Sequence, residues 1–419
     1  MFYYITFLRP PPTHANLHQS ILITPQISND LRTETFPDSQ DLFYSWVQVL
    51  RVQNAESPLR LTTKPQKLTT WRNSSAYKAI PVQPPREVKE GQFWRLVLMS
   101  EGKSATKTQP EAIDLRQIAG NLEETERCKK PLSVWSMLVL FTAKAGGSGK
   151  GGGAGKQEHV ERLYLLPGHE SSSETTDTSL VELRLVEQTS FDLDKKIWDS
   201  GIGLSSWLCD LRQSQTSIRN PTMLELSKRL FGPLSRIVEL GAGIGVVSIS
   251  LAILRSGYTH AAPEHVDDNS RTAAEGSTMF ATDVPSALPL LEENVKLNRQ
   301  YYASETGSPI PLVLDWEDEE LPDEIKTQGG VDVIIMADVC YNTTFFGALT
   351  QTLSKLVELS TSAEHSKSPL VLLGYKERDE SERTFWDLAL NVAGIKFEKV
   401  GEIKGAAGCP VEIWLGNVI

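Results

Sequence analysis

The residues best placed to do chemistry begin with the run Arg236-Ile-Val-Glu-Leu-Gly-Ala-Gly-Ile-Gly245. A short apolar stretch ends there in a glycine-rich turn, and an apolar helix pattern follows from Val246 to Leu254. Glycines let a backbone approach a ligand closely, and a helix N-terminus offers free N–H groups. Strand, turn and helix in this order make a seat for a nucleotide-like ligand. Asp283 ends the next strand-like run, where a carboxylate can accept hydrogen bonds from ribose hydroxyls. It also fits as a cap for a helix starting near Pro285, and the two roles can coexist. Its distance from the turn exceeds the usual separation of about 20 residues, because a polar segment, 261–278, intervenes. Trp316 follows Asp315 at a third strand end and can stack on a purine, or simply fill the core. Trp198 precedes a helix pattern and could close the pocket, though a lone tryptophan is more often core than ligand. In Val331-Asp-Val-Ile-Ile-Met-Ala-Asp-Val-Cys-Tyr341, Asp338 and Tyr341 follow an apolar strand. A carboxylate there can hold the N–H groups of an amine, and a phenol can wall a channel beside it.

These residues need elements to hold them. From Trp198 onward, helix and strand patterns alternate. Strands are expected at Arg236–Leu240, Met279–Asp283, Ile310–Leu314, Val331–Ala337 and Leu370–Gly374. Helices are expected at Gly203–Leu211, Pro221–Leu230, Ile244–Leu254, Pro285–Asn298, Phe345–Leu359 and Glu380–Val392. Two last strands, Lys396–Gly401 and Val411–Leu415, read as an antiparallel pair. Upstream, Val160–Leu166 and Leu180–Glu187 read as a hairpin, and strand-like runs occur at Ser20–Thr24, Leu42–Val52 and Phe93–Met99. Residues 143–158 are a Gly-rich linker or loop. Their Gly-Ser-Gly-Lys150 is no phosphate loop, because glycine rather than Ser or Thr follows the lysine.

Composition narrows the function. The chain has 419 residues and a formal net charge of −11, which argues against a broad nucleic-acid-binding surface. It suits a basic partner, such as a protein segment presenting lysine. The four cysteines, Cys128, Cys209, Cys340 and Cys409, lie far apart, with no CxxC and no metal-ligand spacing to the seven histidines. Reduced thiols in an intracellular protein are expected. The apolar start, Met1–Leu8, lacks a charged leader and soon meets Pro10-Pro11-Pro12, so no signal peptide is expected.

The stretch from Val181 to Val418 resembles the family 16 protein-lysine methyltransferases, the seven-β-strand enzymes of Asp-x-x-Tyr type. It looks closest to their fungal branch, which includes rapid-response-to-glucose-like proteins. The resemblance is carried by Leu183-Arg-Leu-Val-Glu-Gln188, Lys196-Ile-Trp-Asp-Ser-Gly201, Val238-Glu-Leu-Gly-Ala-Gly-Ile-Gly245 and Ala281-Thr-Asp283. It continues through Leu290-Leu-Glu-Glu-Asn-Val-Lys-Leu-Asn298, Leu314-Asp-Trp316, Ala337-Asp-Val-Cys-Tyr341 and Gly374-Tyr-Lys-Glu-Arg378. The fold this implies is α/β: a Rossmann-like seven-strand sheet of an S-adenosylmethionine (AdoMet)-dependent methyltransferase, its last strand antiparallel. An N-terminal α/β or β-rich extension, residues 1–142, lies outside the matched region. The methyltransferase domain is then 159–419, including the hairpin 160–187 and the insertion 261–278.

By this resemblance Trp198, Gly241, Ala242, Gly243, Asp283, Trp316 and Ala337 match AdoMet contacts, and Glu239 sits beside the cofactor's methionine end. Asp338 and Tyr341 match the signature that faces the substrate lysine, with no metal involved. Tyr375, Lys376 and Arg378 match a stretch that shapes the entrance. The implied partner is a non-histone protein presenting a lysine, acted on by a monomer in the cytoplasm and also the nucleus, without membrane or direct nucleic-acid binding. Two other readings stay open. One is a small-molecule or RNA methyltransferase. Against base methylation, the position after the fourth strand reads Ala-Asp-Val-Cys-Tyr rather than (Asp/Asn)-Pro-Pro-aromatic. Against oxygen methylation, His260 and His265 form no metal cluster. The other is an AdoMet-binding scaffold working through its first 140 or so residues without turnover, against which the intact glycines, Asp283 and Asp338 weigh.

Overall fold

The computed structural model describes the chain except residues 53–54, 57–60, 103–108, 110, 120–129, 144–154, 169–179, 191, 257–277, 303–306 and 363–366. Most of the Gly-rich stretch, the tip of the hairpin and the polar insertion up to residue 277 therefore lie outside the described residues.

The C-terminal half is built on seven strands: β1 (Arg236–Leu240), β2 (Thr278–Asp283), β3 (Ile310–Val313), β4 (Val333–Ala337), β5 (Leu370–Tyr375), β6 (Ile395–Ile403) and β7 (Val411–Val418). Their spatial order is β3-β2-β1-β4-β5-β7-β6. The first five run parallel, and β7 is antiparallel to both of its neighbours. Strand residues alternate between two apolar layers, as the period of two requires when both faces are covered. Ile237, Val333, Ile335 and Leu372 face one layer. Val238, Ile334, Met336 and Val371 face the other. The first layer takes helices α1 (Asp199–Gln213), α2 (Pro221–Phe231), α3 (Val246–Ser256) and α4 (Leu288–Leu297). The second takes α5 (Phe346–Thr361) and α6 (Thr384–Ala393). The topology places the carboxyl ends of β1, β2 and β4 side by side, with the strand order reversing between β1 and β4. That switch point is where α/β sheets bind ligands.

The expected Glu380–Val392 helix divides into a 3-10 turn, Glu380–Arg383, and α6. α6 stops at Gly394, whose φ of 64° is the left-handed cap that ends helices. Helix α1 begins four residues earlier than the apolar pattern indicates, because Asp199 and Ser200 are buried polar residues that no periodicity of apolar side chains marks.

The N-terminal half is β-rich. Tyr4–Arg9, Ile21–Ser28 and Ile80–Val82 form a small antiparallel sheet. A larger sheet centres on Phe93–Met99, which pairs with Gln40–Val49, Val134–Ser136 and Val139–Thr142. The long hairpin His159–Pro167 and Leu180–Gln188 joins this N-terminal sheet, not the seven-stranded one. It is nonetheless tied to both halves. Buried Asn294 on α4 accepts from the Val186 N–H at 2.8 Å and donates to the Val186 and Ile244 carbonyls at 3.0 Å. Asn298 grips Arg184 in the same way, accepting from its N–H and donating to its carbonyl. One apolar core also runs through both halves, with Phe2, Tyr4, Leu115 and Tyr164 in the same cluster as Leu204, Leu208 and Ile249.

Asn294→Leu is expected to destabilise the protein by about 2–4 kcal/mol, because it leaves three buried backbone groups without partners. Denaturant unfolding measures this, and a loss below about 0.5 kcal/mol, the size of an ordinary surface effect, would show that the hairpin does not depend on this side chain.

Candidate active site

Strand β1 delivers the chain to a turn that only glycine suits. Gly241 and Gly243 have φ of 69° and 55°. A Cβ on Gly241 would lie 2.8 Å from the Val339 side chain and 3.3 Å from the Trp316 ring. The missing side chain therefore lets Trp316 and Val339 pack directly on the turn. From the end of β2, Asp283 braces the same loop. Its Oδ2 accepts the Gly243 N–H at 2.7 Å, and its Oδ1 accepts the Val284 N–H at 2.7 Å. Burial raises its pKa, against which those two donors pull.

Glu239, the residue before the end of β1, is almost fully buried. Its Oε2 accepts the Ser248 N–H at 3.0 Å at the start of α3, and also the Ser248 hydroxyl. Burial dominates its titration, so its pKa rises from 4.5 to about 8 despite these donors. A carboxyl so placed is ready for a cation.

Asp338, just past β4, has φ of 61°, a left-handed backbone that residues other than glycine adopt at a cost of about 1–3 kcal/mol. The Asp338 N–H is anchored on the Gly374 carbonyl at 3.0 Å. The turn aims the carboxylate at Arg378, which takes both of its oxygens. Nη2 donates to Oδ2 at 2.6 Å, and Nη1 donates to Oδ1. Tyr341 stands at the rim with 42 % of its surface exposed. Its ring lies parallel to that of Trp198, at 10° and 6.5 Å between centroids. Partial burial and the nearby Asp283, Asp194 and Asp338 raise its phenol pKa. Trp198 caps the start of α1, its Nε1–H on the Leu193 carbonyl at 2.8 Å. Two cations cover its ring: Lys196 Nζ at 4.1 Å and Arg378 Cζ at 5.3 Å from the centroid.

Trp198, Glu239, Gly241, Ala242, Gly243, Asp283, Trp316, Ala337, Asp338 and Tyr341 all line one cavity of about 310 Å³. The structure thus brings together residues spread over more than a hundred positions of sequence. The stretch from the last residue of β5 onward divides differently from the expectation of an entrance. Tyr375 is buried against Trp386 and donates to Glu382 at 3.0 Å, away from the cavity. Lys376 is buried, with its Nζ on Asp30 and Asp199 at 3.0 and 2.8 Å. Only Arg378 reaches Asp338.

Sequence reasoning missed Asp30 and gave no role to Asp199. Both carboxylates are buried in the ion-pair cluster behind the cavity. Asp199 lies in a motif already singled out, so its position was the available signal. Asp30 lies in a turn, where aspartate is common for local reasons, and nothing in the sequence connects it to residue 378.

The donor set fits AdoMet. Glu239 offers a carboxylate for an amino group, Asp283 retains acceptor capacity for ribose hydroxyls, and Trp316 with Leu314 and Val284 gives an apolar seat for the adenine. Among curated proteins, the chain is 24 % identical over 194 residues to the protein-lysine N-methyltransferase EFM6 of Saccharomyces cerevisiae, covering 45 % of this chain and 70 % of that protein. It is 26 % identical over 223 residues to a UPF0665 family protein of Schizosaccharomyces pombe, covering 53 % of this chain and 54 % of that one. Among solved structures, the magnesium protoporphyrin IX methyltransferase of Synechocystis PCC 6803 with bound SAM is similar at 15 % identity and a TM-score of 0.29, covering 51 % of this chain and 83 % of that one. The family profile described as lysine methyltransferase matches residues 178–391, just over half of the chain. The chain belongs to the lysine methyltransferase family and is an AdoMet-dependent methyltransferase.

Proposed function

We propose that this protein transfers the methyl group of AdoMet to the side-chain amine of a lysine in a non-histone protein, acting as a monomer in the cytoplasm with access to the nucleus. The observation that carries the reading is the placement of Asp338 and Tyr341 at the end of β4, on the same cavity as the glycine turn, Glu239 and Asp283. AdoMet, when bound, supplies an electrophilic methyl group on a sulfonium. The reaction forms an N–C bond as the C–S bond breaks, in line, and the lysine nitrogen must present a lone pair. Its proton leaves to solvent. What the chain contributes is alignment. Glu239 and the turn Gly241–Gly243 would hold the methionine end, with Trp198 and Ala337 beside it. Asp283 would hold the ribose, and Trp316 would offer its face to the adenine. Asp338 accepts from the amine's N–H groups and turns its lone pair toward the methyl. Tyr341 and Trp198, as parallel rings, form the walls between which an aliphatic lysine stem passes. The acidic net charge favours a basic partner segment.

The test is incubation of the purified full chain with tritiated AdoMet and a yeast protein extract, split between nuclease and protease treatment. Expected is a labelled band that survives nuclease, vanishes with protease and yields methyl-lysine on hydrolysis. Label that follows RNA or small molecules would overturn the protein substrate. AdoMet binding by calorimetry with no label anywhere would overturn turnover itself.

A further inference from the structure

The N-terminal half reaches into the site just described. Asp30 sits in the turn after Ile21–Ser28, and its side chain is fully shielded from solvent. The turn is stiffened by Asn29, whose Oδ1 accepts the N–H groups of Thr33 and Glu34 at 3.0 and 3.2 Å. Its far side is pinned by Arg32, which donates to the Thr189 carbonyl at 2.8 Å. Three basic side chains converge on Asp30. Lys376 Nζ donates to Oδ1 at 3.0 Å, Arg378 Nη2 donates to Oδ2 at 3.0 Å, and Lys196 Nζ donates to the backbone carbonyl at 2.8 Å. Burial opposes ionisation of Asp30, yet Lys376 and Arg378 hold its carboxyl below the usual range, so it carries its charge.

Two of these three cations also touch the site. The same Arg378 Nη2 that binds Asp30 binds Asp338 at 2.6 Å. Lys196 and Arg378 both lie over Trp198. Asp30 is therefore one bond removed from the carboxylate that faces the substrate and from the ring that walls its channel. A buried ion cluster of this kind stabilises little compared with an apolar core, since the desolvation cost offsets the attraction. What it does supply is direction: Arg378 has two carboxylates to satisfy at fixed positions, and its guanidinium plane is set by both.

We propose that Asp30 is a positioning residue for methyl transfer, its carboxylate fixing Arg378 against Asp338. The N-terminal sheet is then part of the site rather than an appendage to it. This rests on the functional reading above, in which Asp338 meets the substrate amine. Without Asp30, Arg378 keeps Asp338 and the Lys376 carbonyl but loses its second carboxylate, and Asp338 loses the fixed geometry on which alignment depends. Misplacement on the scale of 1 Å costs about 100-fold in rate. AdoMet binding should be spared, because no hydrogen bond links Asp30 to Glu239, Asp283 or the glycine turn among the described residues.

The test uses the full chain, tritium transfer into yeast extract protein, AdoMet affinity by calorimetry, and melting temperature. For Asp30→Asn we expect kcat to fall by roughly 10- to 100-fold, with the AdoMet Kd changed by less than about threefold, under half of a tenfold step in free energy. In an Arg378→Met background, Asp30→Asn should cost almost nothing further, since it acts through that guanidinium. An unchanged rate in Asp30→Asn would overturn the proposal, as would additive losses in the double variant. Equal losses of rate and AdoMet affinity would make Asp30 a structural residue only. Should Asp30→Asn fold poorly, Asp30→Asn with Lys376→Met removes this one buried pair together, leaves Asp199 its bonds from the Phe2 N–H and the Tyr4 hydroxyl, and must still show the selective loss of rate. A wild-type chain that binds AdoMet but labels no protein would instead remove the functional reading, and this proposal with it.

Discussion

Asp338→Asn is expected to slow methyl transfer by about 1,000-fold, the scale set by removing one well-aimed catalytic group, while AdoMet affinity stays within about threefold. The choice of asparagine follows from the backbone. Residue 338 has φ of 61°, which asparagine tolerates better than alanine does. Alanine would add strain to the loss of the carboxylate and blur the result. Asparagine also keeps one oxygen for Arg378, so the guanidinium is not left wholly unpartnered. What it lacks is the negative charge and the second acceptor, which the amine requires as its N–H groups are turned away from the methyl. Single-turnover rates with tritiated AdoMet, set beside calorimetric Kd values, separate the two quantities. Loss of both in equal measure would show that Asp338 shapes the fold around the turn and takes no part in transfer.

Much of this fold was legible in the sequence for physical reasons. β4 and β5 are buried on both faces and read as near-continuous apolar runs, and β1 is apolar but for Arg236 and Glu239, so their positions needed no tertiary information. The glycine turn was legible because only glycine permits its backbone and the close approach of Trp316. The N-terminal sheets were less so. Their strands pair over long sequence distances, and two of them are interrupted by Pro25 and Pro81. The hairpin reads as a hairpin, yet its partner strands are set by Trp135↔Glu161 and Ile113↔Tyr164, pairings that no local pattern encodes. The same holds for the site. Glu239, Gly241, Asp283, Trp316, Ala337 and Asp338 stand at or just past strand ends, which the sequence marks, whereas Trp198 lines the cavity from the start of α1. Asp30 pairs with residues 376 and 378 and Asp199 with residue 376, contacts that exist only once the two halves are packed together.

Glu239 should make AdoMet binding depend on pH. In the ligand-free protein its carboxyl has been pushed up to about 8 by burial, so it is largely protonated at neutral pH. The amino group of AdoMet favours the ionised form, and binding must therefore release a proton below that pKa. Affinity should fall by up to about tenfold per unit as pH drops from about 8 toward 6, and level off above 8. Calorimetry in two buffers of different ionisation enthalpy reads the released proton directly. Glu239→Gln should abolish both the slope and the proton release. At high pH it should weaken binding by roughly 30-fold, the cost of losing a charge-assisted hydrogen bond of about 2 kcal/mol. The sign for stability runs the other way. A carboxyl whose folded pKa lies above its ordinary value of 4.5 favours the fold most at low pH, and that contribution is lost as pH rises through about 8. The melting temperature of ligand-free wild type should then decline across this window relative to Glu239→Gln, while saturating AdoMet should restore it. A pH-independent Kd in the wild type would place the amino group elsewhere and leave Glu239 as no more than a buried brace for the start of α3.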